Sequence, residues 1–76
     1  MLEFMNAVIP RITIEIGNRS GQPCIRGLRI TVWDVIAMIA DGMTERDILI
    51  EHSELQPEDF PAIYEYSKRL TRKVLN

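Results

Sequence analysis

The run Gly21-Gln22-Pro23-Cys24-Ile25-Arg26-Gly27-Leu28-Arg29-Ile30-Thr31-Val32-Trp33-Asp34 constrains this chain more than any other stretch. It holds turn residues, two arginines around a glycine, and a helix start. Thr31 is a good N-cap, because its hydroxyl can accept from an amide that the first helical turn leaves without a partner. Asp34 stands at the third helical position, where a carboxylate suits both the cap and the helix dipole. The spacing predicts a helix from Val32 to about Asp41, stopped by Gly42.

That helix is apolar nearly all round: Val32, Trp33, Val35, Ile36, Ala37, Met38, Ile39 and Ala40. Such a pattern marks a buried helix. A chain of 76 residues has little material to bury it, and a domain of this size hides only about 60% of its unfolded surface. The hairpin, a second subunit, or both are needed to cover the remainder, so a homodimer is expected. The one cysteine, Cys24, rules out an intrachain disulfide and fits a reducing compartment. It reads as a small buried hydrophobe, since no partner pattern for a reactive thiol surrounds it. The opening residues lack a basic start, and no apolar run approaches the ~20 residues of a bilayer span. The reading is a soluble, cytoplasmic protein.

Upstream, Met1 to Ala7 has no firm period and residues 1–9 read as an N-terminal segment, with one domain over 10–76. Ile12-Thr13-Ile14-Glu15-Ile16 alternates, which is a strand signal. Turn chemistry at Gly17-Asn18 and Ser20-Gly21-Gln22-Pro23 leads to a second extended piece, Cys24 to Ile30. Gly27 interrupts it and marks a bend or a close backbone approach. Two short strands are marginal alone and must pack on helices or on another hairpin.

Downstream, Thr44 caps a short helix, about Glu45 to His52, with Asp47 in the box position. A third helix runs from about Pro57 or Asp59 to about Lys73. Phe60, Ile63, Tyr64, Ser67, Leu70, Thr71 and Val74 form its expected apolar stripe. Pro61 deletes an amide inside its opening. Three helices with short turns suggest helix-turn-helix or homeodomain-like packing, with a plain helical bundle as the alternative. The fold class is therefore mainly α: a three-helix domain with a short N-terminal β-hairpin.

Net charge is −2, unevenly laid out. Residues 1–30 carry +2, residues 31–67 carry −8, and residues 68–76 carry +4. This argues against a uniformly basic nucleic-acid surface. A DNA reader places Arg, Asn or Gln at the start of the helix that meets base edges. Here Glu58 and Asp59 stand there and would repel phosphate, although Lys68, Arg69, Arg72 and Lys73 can contact a DNA backbone. The same four cations also complement a helix C-terminus. Arg26 and Arg29 suit a phosphate or a partner's carboxylates, or an internal ion pair with Asp34 or Glu15. Of the two, Arg26 reads as the better candidate for reaching a partner. Trp33 is an interface anchor or simple core. Ile14, Gly27, Ile30, Trp33 and Ile36 build the strand–helix junction or a dimer contact. His52 stands alone, and Glu45/Asp47 and Glu58/Asp59 look like first-turn helix charges. Neither a metal site, a cofactor nor enzymatic activity is expected.

The run from Gly21 to Asp34 resembles the signature of domain-of-unknown-function family 433. Pro10-Arg11-Ile12-Thr13-Ile14 is similar to that family's opening strand, and Gly42 with Thr44 to Ile48, then Leu55 to Tyr66, to its remaining helices. The likeness spans about residues 10–67. Gln56 stands where a stronger cap is usual, and Pro61 interrupts the third helix. The family is similar to antitoxins of the VapB type, with a homeodomain-like fold and a PIN-like ribonuclease toxin as partner. The resemblance implies neutralisation of such a toxin by direct binding, with repression of the shared operon as a second role. Arg11 and Arg26 are the candidate toxin contacts, aimed at the clustered carboxylates of a metal-dependent nuclease. The alternative is a DNA-binding regulator without a toxin partner.

Overall fold

The structure is a computed structural model that describes residues 9–75, and the side chains of residues 9–70. The expected N-terminal segment lies outside these residues except for Ile9, which packs into the core. Two strands are followed by three helices: β1 (Ile12–Ile14), β2 (Pro23–Ile25), α1 (Val32–Ala40), α2 (Glu45–Glu51) and α3 (Asp59–Leu75). The molecule is mainly α with a short N-terminal hairpin.

β1 and β2 pair antiparallel, with Ile12 opposite Ile25, Thr13 opposite Cys24 and Ile14 opposite Pro23. β1 is shorter than its alternation suggests. The Asn18 amide turns back to the Glu15 carbonyl at 3.0 Å, and Ile16 is left 87% exposed. A single 3-10 turn at Arg19–Gly21 completes the connection.

The second extended piece is also shorter than its residues suggest, because the chain reverses at Arg26-Gly27. Both have positive φ, 45° and 74°, the combination that matches the twist of a tight hairpin turn. The Leu28 amide donates to the Ile25 carbonyl at 2.8 Å, and the Ile25 amide to the Ile30 carbonyl at 3.0 Å. Cys24 then forms a bridge with Thr31. Gly27 is thus a bend and not a close approach: a Cβ there would meet nothing within 4 Å. Thr13 and Asn18 hold the turn. The Gly27 amide donates to Thr13 Oγ1 at 2.9 Å, and Asn18 Nδ2 donates to the Leu28 carbonyl at 2.8 Å.

The caps form as the spacing predicts. Thr31 Oγ1 accepts from the Asp34 amide while the Asp34 carboxylate accepts from the Thr31 amide, both at 2.9 Å. Thr44 and Asp47 repeat the same box. Gly42, at φ 102°, follows the end of α1.

The core gathers Ile9, Ile12, Ile25, Val32, Val35, Ile48, Leu55, Phe60 and Ile63 between the hairpin and the helices. Ile30 and Ile36 pack against it, half-buried. α1 is only partly covered, since Trp33, Ala37 and Ala40 remain exposed. Trp33 is therefore not simple core; it is 38% exposed, its ring tilted against Tyr66 with centroids 6.2 Å apart.

α3 turns Phe60 and Ile63 of the expected stripe inward, but not Tyr64 or Leu70. Asp59, Ile63 and Tyr66 share the inner side with Phe60, while Tyr64 lies outside and donates to Glu45 at 2.7 Å. Burial and then Glu45 push the Tyr64 hydroxyl up to about 12. Pro61 is accommodated because its missing amide would have bonded the Pro57 carbonyl, which the Phe60 amide takes instead at 3.2 Å. Among the described residues, no helix is long and apolar enough to cross a membrane.

Candidate functional site

Asp59 organises the site. Asp59 opens α3, where a carboxylate can reach back to an unpaired amide of the turn before the helix. Here Oδ2 accepts from the Gln56 amide at 2.8 Å. Gln56 lacks the hydroxyl that would return the bond, so only half of a capping box forms. Asp59 has no solvent exposure, and a buried carboxylate needs further partners.

Those partners are Arg11, just before β1, and Arg26, just after β2. Arg11 Nη1 lies 2.8 Å from Asp59 Oδ1 and 3.0 Å from Gln56 Oε1. Arg26 grips both oxygens, Nε at 3.0 Å from Oδ1 and Nη2 at 3.1 Å from Oδ2, and Nη2 also reaches the Glu54 carbonyl at 2.7 Å. Burial pushes the Asp59 carboxyl up, but the Arg26 hydrogen bonds, the Gln56 amide and Arg11 outweigh it and hold it below the usual carboxylate range. Hydrogen bonding to Asp59 raises Arg26 in turn.

Both arginines have left-handed backbones, φ 80° at Arg11 and 45° at Arg26. Their main chains also meet, the Arg26 amide donating to the Arg11 carbonyl at 2.8 Å. Residues other than glycine avoid this region. Asp59 compensates for the strain by fixing both guanidiniums. Each side chain stays about one-third exposed, 33% for Arg11 and 28% for Arg26. A guanidinium has five N–H donors. Nη1 of Arg26, and Nε and Nη2 of Arg11, have no partner among the described residues.

The arginines sort differently from the sequence reading. Arg26 takes the internal ion pair, with Asp59. Asp34 goes to Arg19, at 2.8 Å. Burial raises the Asp34 carboxyl, while the Thr31 amide and Arg19 more than offset it and keep it low. Arg29 forms no ion pair among the described residues; it is exposed and touches only Asn18 Oδ1, at 3.4 Å. Of the two, Arg26 and not Arg29 therefore holds the internal ion pair.

The structure gathers Arg11 and Arg26 at one corner and leaves the other candidates elsewhere. Lys68 and Arg69 both pair with Glu65, at 3.4 and 2.8 Å. The Arg72 and Lys73 side chains lie outside the described residues. Ile14 is half-buried on the hairpin. Sequence reasoning missed Asp59 as the organising group and took it for a first-turn helix charge. Its signal was present: Asp59 heads the stripe that continues through Ile63 and Tyr66. Burial pushes the Cys24 thiol up, as suits a packing residue.

A family model described as protein of unknown function (DUF433) matches residues 12–67. No curated protein matches the chain. Among solved structures, it is similar to a DUF433 member protein from Anabaena variabilis ATCC 29413, at 28% identity and a TM-score of 0.71, over 87% of this chain and 69% of that one.

Proposed function

The chain belongs to the DUF433 family, and on that premise we propose that it is an antitoxin that neutralises a PIN-like ribonuclease by direct binding. The observation that carries this reading is the pair Arg11 and Arg26, both bonded to Asp59, with N–H donors that have no partner among the described residues. Guanidiniums match carboxylates in a planar fork. A nuclease of this kind holds its divalent metal in clustered carboxylates. Two immobilised guanidiniums presented to that cluster compete with the metal's charge, and their side-chain entropy is already lost before binding.

The test is rescue of growth from the toxin encoded beside this gene. Arg11→Ala and Arg26→Lys are compared with the wild type, each variant first shown to be folded by its thermal transition. Arg26→Lys keeps a cation for Asp59 but removes the Nη1 group that Asp59 and Glu54 do not engage. Loss of rescue by folded variants supports the reading. Full rescue by both, or the absence of a complex with the neighbouring gene product, removes it.

A second reading, repression of the shared operon, uses the exposed cations Lys68 and Arg69 on α3. It calls for binding to the operon's own promoter, with affinity falling steeply as salt rises. A mobility shift at low salt decides it.

A further inference from the structure

We infer that the exposed face of α1 is the seat of a second copy of this chain, packed antiparallel across a two-fold axis. Trp33, Ala37 and Ala40 fall on one side of α1 and are all exposed. A large ring thus stands at one end of the face, and a flat patch of small side chains at the other. An antiparallel neighbour lays each Trp33 over the other copy's Ala37 and Ala40. Such a contact is self-complementary, as two-fold interfaces must be.

Charge favours a second copy over a foreign partner. Asp34 and Asp41 are seven residues apart on α1 and its C-cap, hence on the same flank. At the Asp34 end Arg19 neutralises Asp34, and its Nη1 also reaches the Arg29 carbonyl at 2.8 Å, so the unbalanced charge at that end is the Arg29 cation. Arg29 itself is exposed beside it. At the other end stands the exposed carboxylate of Asp41. The two ends are about 10 Å apart along the helix and cannot pair within one chain. A two-fold axis across α1 sets the same flanks of both copies against each other. The basic end of each copy then meets the acidic end of the other, twice.

A stable interface takes roughly 800 Å² from each partner, about a sixth of the 5036 Å² of this chain. α1 alone does not supply it. Tyr66, against Trp33, and Leu70, one turn further along α3 and 38% exposed, extend the same surface. None of these residues belongs to the Arg11–Arg26 corner.

The experiment is charge exchange on the full chain, followed by native mass spectrometry and light scattering. Wild type is expected as a dimer at micromolar concentration. Arg29→Glu and Asp41→Arg each set like charges together at both ends of the interface, and each is expected to weaken the dimer by more than about tenfold. Mixed in equal amounts, the two variants restore opposite charges at both ends and form a heterodimer of the summed mass. Ala37→Glu, which loads the flat patch, is expected to be monomeric whatever it is mixed with. Both arginine and aspartate are exposed, so the circular dichroism of the variants stays that of wild type. A monomeric wild type, single reversals that dimerise as well as wild type, or a mixture that stays monomeric overturns the inference.

Discussion

Asp59 carries a charge with no exposed surface, and it does so by accepting from two guanidiniums and one amide at once. Removing such a carboxylate strands the cations opposite it, which costs several kcal/mol when they are fully buried. Arg11 and Arg26 keep some access to water, so the cost here is smaller. Asp59→Asn is expected to lose about 2–4 kcal/mol, read as a lowered urea midpoint. The pH dependence follows from the direction of the shift. The Asp59 carboxyl is held below its unfolded value of about 3.9, so its stabilisation is complete above that pH and fades as the pH falls through the folded value. Asp34 is depressed as well and contributes to the same acid limb. Stability of Asp59→Asn should therefore fall less steeply than wild type below about pH 4, without becoming flat. Gly27→Ala isolates the backbone contribution, because its Cβ meets nothing and φ is 74°. A loss of roughly 1–2 kcal/mol with an unchanged urea slope is expected.

At the scale of elements, the capping boxes decide where α1 and α2 begin. Thr44→Ala on the short α2 should cost about 0.5–1 kcal/mol, and Thr31→Ala nearer 2, because Thr31 is also buried and bridges Cys24. Thermal transitions of the two variants check the order. These helix starts were legible in the sequence, because a threonine followed three residues later by an aspartate carries its own hydrogen bonds. The lengths of β1 and β2 were not. The alternation of β1 runs on into the turn in which the Asn18 amide bonds the Glu15 carbonyl, and the second piece runs past the left-handed pair Arg26-Gly27; only glycine announces such backbones, but Arg11, Arg19, Ser20 and Arg26 adopt them too. The corner itself was half legible. Arg11 and Arg26 stood out as arginines on turns, but their common partner lies 48 and 33 residues away. No local period encodes that contact. The inner face of α3 was read in part: Phe60 and Ile63 face the core as their spacing predicts, but Asp59 and Tyr66 lie on that side and Tyr64 does not.

For the whole molecule, a dimer through α1 makes melting a mass-action property. The thermal midpoint of wild type should rise with protein concentration, and that of Ala37→Glu should not. The three tethers of Asp59 bear instead on the order in which the chain comes apart. Arg26 cannot leave its turn without releasing the carboxylate that also fixes Gln56 at the start of α3. Two short strands have little resistance to opening alone, so the hairpin takes its resistance from a helix distant in sequence. Hydrogen exchange should therefore find the amides of Arg26, Leu28 and Phe60 opening as one cooperative unit in wild type, and separating into a fast hairpin and a slower helix once Asp59 is replaced.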